Sequence, residues 1–281
     1  MSINEDLKKH DHRIEAVLDT WGLSDQIVRG RKRVEIQEWF GNFEPSEVDD
    51  VLLILEKIDV VSQEEINGML KTLSEELRKI FKGDLSDVKA YPLGEYPSSS
   101  GGNFLYSLCK NLGIGKSFTP YKPLSEIDLS GVKALVFIDD IIGYGSQATR
   151  FAKDKLAKIN KNIDKYYITL FALEEGLERV KTDAGFTSVI PAKTLSDEYK
   201  AFSSRSHYFT DPDVRERLKK ICTKYGERLY PKHPLGYEDS QSLLIFPHNV
   251  PNNTLPIIWA GPESESEGGI VWKPVWKRIK I

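Results

Sequence analysis

Cysteine is nearly missing from this chain. Of 281 residues only Cys109 and Cys222 are cysteine, each set among apolar or helix-forming neighbours (YSLCKNL, KKICTKYG) and not at the short spacings of a metal knuckle. That usage fits reduced thiols and argues against a disulfide framework. An excess of either charge is missing too. With 39 Lys+Arg against 42 Asp+Glu the formal net charge is −3, so no bulk positive field supplies non-specific nucleic-acid affinity. No window of about eighteen uncharged apolar residues occurs, and the first residues, MSINEDLKKHDHR, lack the apolar centre of a secretory signal. The expectation is a cytoplasmic protein with no membrane span. Internal repeats are absent, and the only biased tract is ESESEGG at 263–269, which reads as an exposed loop.

Two kinds of pattern are present. Up to about Lys82 the periodicity is helical: Val48, Val51, Leu52, Leu55 and Ile58 recur at steps of three and four, as do Ile66, Met69, Leu70, Leu73, Leu77, Ile80 and Phe81. Ser62 with Glu65 is a capping-box signature for the second helix. After Gly83 short β-type runs, VKAY at 88–91, ALVFI at 134–138, YYITLFAL at 166–173 and SVI at 188–190, alternate with helix-like stretches at about 103–112, 147–160, 174–183 and 211–225. Strands separated by helices predict an α/β domain at 83–281: a mostly parallel sheet with helices on both faces, preceded by a helical N-terminal extension at 1–82. The tail from Tyr230 is rich in Pro, Asn, Gly and Trp around one further strand, SLLIF at 242–246.

The stretch ALVFIDDIIGYGSQATRFAKDKL, Ala134 to Leu156, carries the chemistry. Leu135 to Ile138 is apolar throughout, as a strand covered on both faces should be, which puts Asp139 and Asp140 where it emerges. In an open parallel sheet, ligands bind outside the carboxyl ends of the strands, and the loop into the next helix presents N–H groups to anions. Gly143 and Gly145, flanking Tyr144, let that loop fold back, and Ser146 and Gln147 stand where a helix begins. Adjacent carboxylates can accept hydrogen bonds from a ribose diol while the loop holds a phosphate. The simpler alternative is an Asp pair that makes a turn and caps the helix. A second loop, Ser98, Ser99, Ser100, Gly101 and Gly102, lies between VKAY and NFLYSLCKNL. Small hydroxyl residues before a helix N-terminus suit an anion, with Lys110 or Lys116 as assisting cations, though serine runs also form plain linkers.

LVFI-DD-IIGYGSQ resembles the signature of the type I phosphoribosyltransferases: four apolar residues, two acids, a few small or apolar residues, then a Gly/Thr-rich loop. The match holds at the apolar run, both acids and Gly145; it departs at Gly143 and Gln147, where the family usually has threonine. The resemblance implies that Asp139 and Asp140 contact the ribose 2- and 3-hydroxyls, that 143–147 hold the 5-phosphate, and that 98–102 hold pyrophosphate. It also implies Mg²⁺ with phosphoribosyl pyrophosphate (PRPP) or a nucleotide, touched by the acids only indirectly, through the diol or water. The family's mobile catalytic loop has only Lys116 to Asp128 to occupy. The tail, PLGYEDSQSLLIFPHNVPNNTLPIIWA followed by VWKPVWKR, resembles a divergent phosphoribosyltransferase-like branch found in bacterial conflict and phage-defence loci, some of them retron-associated.

Outside these motifs, Arg205 and His207 in SSRSHYFTD offer a cation or an acid/base, and Asn252 and Asn253 in PNNT satisfy a turn or contact a ligand. Trp272 and Trp276 alternate with charges and read as core. Three functions stay open. The protein is an effector enzyme acting at a ribosyl C1 bond, a nucleotide or ribose-phosphate sensor without turnover, or a module whose N-terminal helices dock a protein or nucleoprotein partner. An oligomer is compatible with each.

Overall fold

The computed structural model describes residues 9–94, 99–114, 122–261 and 271–278. Ser98, Lys116 and the 263–269 tract lie outside them. The chain forms two compact units, residues 63–196 and residues 1–62 with 197–280. The boundary differs from the expected one at 82/83 in two ways: the helix after Ser62 belongs with the sheet, and the front residues belong with the tail.

The front of the composite unit has α1 (Asp11–Thr20), α2 (Gln26–Phe40), α3 (Val48–Leu55) and the two-residue β1 (Asp59–Val60). Asp25 starts α2 by accepting hydrogen bonds from the Ile27 and Val28 amides at 3.0 and 2.9 Å. The sheet unit follows with α4 (Gln63–Ile80), β2 (Val88–Pro92), α5 (Gly102–Leu112), β3 (Ala134–Ile142), α6 (Ser146–Asp154), β4 (Asp164–Leu173), α7 (Glu174–Asp183) and β5 (Ser188–Leu195). The chain then returns to the composite unit with α8 (Pro212–Leu229), β6 (Leu244–Ile245) and α9 (Pro256–Trp259).

In the sheet unit the strand order is β2-β3-β4-β5, all parallel. On one face Leu135, Phe137 and Tyr167 form a cluster with Ala148 and Phe151 of α6 and Leu177 and Val180 of α7. On the other, α5 packs on β2 and β3, while α4 packs on α5, β4 and β5. Helices cover both faces, as the near-continuous apolar strands require. The β2–β3 connection uses both sides, since α5 is on the α4 side whereas Leu124, Ile127 and Leu129 join the α6–α7 cluster.

One core runs through the composite unit, from Ile14, Trp39, Phe40 and Leu52 of the front to Leu218, Ile221, Ile257 and Trp272 of the back. The indole N–H groups of Trp39 and Trp272 both donate to the Ile257 carbonyl, at 2.6 and 3.0 Å. β1 pairs parallel with β6, so SLLIF contributes two ladder residues, not five. Trp272 is a buried core residue, and Trp276, partly buried, packs against the same core edge-on to Trp21. Both cysteines are free and buried; burial raises the Cys109 thiol to about 11. Among the described residues no helix is long and apolar enough to cross a membrane.

Candidate functional site

β3 is longer than its apolar core suggests. Its ladder with β4 continues past Ile138 through Asp139↔Thr169, Ile141↔Phe171 and Ile142↔Ala172, because β4 itself runs on to Leu173. Asp139 and Asp140 are therefore inside the strand and not at its exit. On the other edge the ladder stops at Pro92↔Ile138, with one further bond from the Leu93 N–H to the Ile138 carbonyl at 2.8 Å. Past that point the edge of β3 is met by the serine loop. A Cβ on Gly101 would lie 2.0 Å from the Ile138 carbonyl oxygen and 3.3 Å from the Asp139 Cα, so only glycine permits this approach.

The loop after β3 is fitted as closely. Gly145 has φ +77° and precedes α6, and a Cβ on Gly176 in the first turn of α7 would stand 1.7 Å from the Gly143 carbonyl oxygen. Arg179 of α7 donates to the Tyr144 carbonyl at 3.4 Å. The two loops meet at Gly94, φ +130°, where a Cβ would be 3.1 Å from Ser99 Oγ and 3.4 Å from Gln147 Nε2. Asp139, Ser99, Gly101, Gly143, Gly145 and Gln147 thus gather at one end of the sheet. Ser100 and Gly101 form the first turn of α5, their carbonyls accepting from the Asn103 and Phe104 amides at 3.1 Å each; Gly102 begins the helix. Asp140 follows Asp139 in β3, and Tyr144 and Ser146 complete the second loop. Lys110 is in the last turn of α5, about 12 Å of helix rise from its start, too far along to assist this loop.

The acids are shielded, with Asp139 3% and Asp140 7% exposed. Asp139 Oδ1 accepts from the Asp140 N–H at 3.0 Å, and its Oδ2 from the Tyr167 hydroxyl across a long 3.4 Å. Asp140 Oδ1 accepts from the Ile141 N–H at 2.8 Å. Burial pushes the Asp139 carboxyl well above the usual range, and the charge of Asp140 adds to the effect. Burial also raises the Tyr167 phenol. Such a pair is suited to receiving hydroxyl donors or positive charge, which relieves the cost of two adjacent buried acids. Among the described residues no group of three or more His, Cys, Asp or Glu side chains forms a metal site. A cavity of about 690 Å³ opens on the α6 side, between Leu124–Ser130 and Phe151–Ile163, and includes Gly94 but neither acid.

Arg205, His207, Asn252 and Asn253 belong to the composite unit. Arg205 pairs with Asp197 at 3.2 Å, and His207 packs against the rings of Tyr199 and Tyr208 at 4.7 and 3.9 Å. The Asn252 carbonyl accepts from the Tyr237 amide; the Asn253 carbonyl accepts from the Ser242 amide at 3.1 Å and the Ser240 hydroxyl at 2.7 Å. PNNT therefore ties the tail together through these main-chain carbonyls and through the Thr254 hydroxyl, which donates to the Leu244 carbonyl at 2.6 Å. The residues that sequence reading misses are Tyr167, Gly94, Gly176 and Arg179. Tyr167 sits in an unbroken apolar strand, and the other three act through neighbours distant in sequence, so no local spacing marks them.

Among curated proteins, none matches the chain. A family model described as PRTase-CE matches residues 36–278, which takes in both loops, the acid pair and the composite unit from residue 36 onward, leaving out α1 and most of α2. The chain belongs to this phosphoribosyltransferase-like family, PRTase-CE.

Proposed function

We propose that the acid pair and the two loops bind a ribose phosphate, either PRPP or a nucleotide, and that the protein acts at its C1 bond. The close approach of Gly101 to β3 beside Asp139, with Gly94 joining Ser99 to Gln147, is the observation that carries this reading. It puts an anion-suited loop, a second such loop and two acids at the carboxyl end of adjacent parallel strands, where open α/β sheets take ligands. In the proposed reaction the C1 bond to the leaving group breaks with its electron pair, charge develops on the ribose ring, the acids stabilise it, and a water molecule or an acceptor nucleophile supplies the electron pair of the new bond to C1. Ser99, Ser100, Gly101 and Gly102 hold the departing pyrophosphate or phosphate, and 143–147 hold the 5-phosphate. Mg²⁺ fits only as a companion of the ligand, with Asp139 and Asp140 in indirect contact; it would neutralise charge on the leaving oxygens. The resemblance of the tail supports placing this activity in bacterial anti-phage defence, as an effector of the retron-associated kind.

The burial of both acids favours a second reading, a sensor that binds the ligand without turnover; Gly143 and Gln147, in place of hydroxyl residues, fit it as well. A protein or nucleoprotein partner would meet α2 at Ile27, Val28 and Val34, which are exposed. Calorimetric titration with Mg²⁺–PRPP and with nucleoside monophosphates, followed for released pyrophosphate or free base, decides between the readings. Binding with product that is lost in Asp139→Asn/Asp140→Asn supports the enzyme. Binding without product supports the sensor, and no binding by folded protein refutes both.

A further inference from the structure

The cavity on the α6 side of β2 contains neither Asp139 nor Asp140, so what it binds is separate from the ribose site proposed above. Its inner wall is aromatic. Tyr91 and Phe151 line it, and the buried Phe137 meets both rings edge-on, at centroid distances of 6.3 and 5.4 Å. The Tyr91 hydroxyl donates to the Lys122 carbonyl at 3.2 Å, which fixes its ring. Leu124, Ile127 and Leu129 of the β2–β3 connection add apolar surface.

The α6 side of the cavity is cationic. In RFAKDKLAKI the residues Phe151, Lys155 and Lys158 stand at steps of four and three, so α6 and the 3-10 turn after it, Leu156–Lys158, present them along one side. Both lysines line the cavity, and its described lining residues include no acid. An aromatic body gains edge and face contacts from such a wall, while a carboxylate, sulfonate or phosphate beside the lysines gains charge-assisted hydrogen bonds. A volume of about 690 Å³ is ample for both.

We propose that this cavity is a second ligand site, which takes an aromatic anion with its ring against Tyr91 and Phe151 and its acidic group at Lys155 and Lys158. It reaches Gly94, where Ser99 of one loop and Gln147 of the other lie 3.1 and 3.4 Å from the Cβ position. The occupant therefore abuts the meeting point of the two loops without entering the site of the acids.

The test uses two fluorescent dyes, anilinonaphthalene sulfonate and phenylnaphthylamine, which share a ring system and differ in the acid. Each is titrated into the full chain as wild type, Lys155→Met/Lys158→Met and Leu129→Trp. Methionine keeps the apolar length of lysine and removes its charge. Wild type is expected to bind one sulfonate dye, at least about tenfold more tightly than the neutral dye, the scale of a charge-assisted contact. The methionine variant should bind the two dyes within about threefold of each other. Leu129→Trp, which fills space, should weaken both by at least about tenfold, and Ser130→Trp supplies the block if Leu129→Trp fails to fold. Folded wild type that binds neither dye, or both equally, overturns the proposal. So does a preference for the sulfonate that survives in the methionine variant, and so do folded blocking variants that bind as wild type. Dye binding lost in folded Asp139→Asn/Asp140→Asn puts the dye in the acid site and overturns it as well. None of these outcomes depends on PRPP, so the cavity and the ribose reading fail separately.

Discussion

In the sheet unit each strand pairs with the strand that follows it in the chain, from β2 across to β5. In the composite unit the decisive contacts join residues about as far apart as the chain allows: Trp39 reaches Ile257 across 218 positions, and Asn42 exchanges hydrogen bonds with Lys273 across 231. The sheet unit can form most of its contacts from one continuous segment, whereas neither half of the composite unit has a core without the other. Loop closure of that length costs only slowly growing entropy, so stability is compatible with it. Cutting the chain is not.

Deletion makes the largest break in that comparison. Removing residues 1–62 strips Ile14, Ile36, Trp39, Phe40 and Leu52 from a shared core and should leave the tail unable to fold, seen as aggregation or loss of near-ultraviolet circular dichroism. Removing 1–82 should do more harm, because α4 also covers β4 and β5. A truncated protein that unfolds cooperatively at the wild-type midpoint would show that the front is an appendage after all.

Glycine substitutions sharpen the comparison at intermediate cost. A Cβ at Gly101 or Gly176 would meet a carbonyl oxygen at 2.0 or 1.7 Å in the sheet unit, and at Gly226 would meet the Pro234 carbonyl at 2.0 Å in the composite unit. Each Ala variant should lose roughly 1–3 kcal/mol in urea unfolding, the usual cost of overpacking. Gly101→Ala and Gly176→Ala should also weaken Mg²⁺–PRPP binding at least tenfold, because the loops they seat must move, while Gly226→Ala leaves affinity unchanged. Equal effects on affinity at all three positions would remove the distinction between the units.

The same contrast explains what the sequence makes legible. The sheet strands begin within two residues of the apolar runs that mark them, since a strand buried on both faces must be apolar throughout, and α7 matches its periodic stretch at 174–183. The acid pair stands out because a charge following four apolar residues has no place in a core. What stays hidden depends on a second segment: the end of β3 is set by the length of β4, the need for Gly101 by the Ile138 carbonyl, and the partnership of residues 1–62 by a tail some two hundred positions away. SSRSHYFTD and PNNT have the composition of site loops, yet the structure uses Arg205 in an ion pair and the Asn252 and Asn253 carbonyls in tail packing.

The smallest expected effects have opposite pH dependence in the two units. In the composite unit Glu47 joins front to back. Burial alone would raise its carboxyl, but hydrogen bonds from the Tyr225 hydroxyl at 2.6 Å, from Lys224 and from the Glu44 amide outweigh it and hold the group below 4.5. A carboxyl lowered by folding contributes stability above its unfolded value and loses it as pH falls through the folded one. Tyr225→Phe should therefore cost about 1–2 kcal/mol at pH 7, as for a hydrogen bond to a charged group, and progressively less toward pH 3. Asp139 of the sheet unit is displaced the other way, above 3.8, by burial and then by Asp140. Its contribution is complete below that value and is lost as pH rises through the folded pKa. Asp139→Asn, which cannot titrate, should accordingly match wild type near pH 4 and become the more stable protein as pH rises. Unfolding midpoints of both variants between pH 3 and 8 would show one difference closing toward acid and the other opening toward base. If the Asp139→Asn difference stays flat, the carboxyl is not under the strain that burial beside Asp140 implies, and a ribose diol gains correspondingly less by meeting the pair.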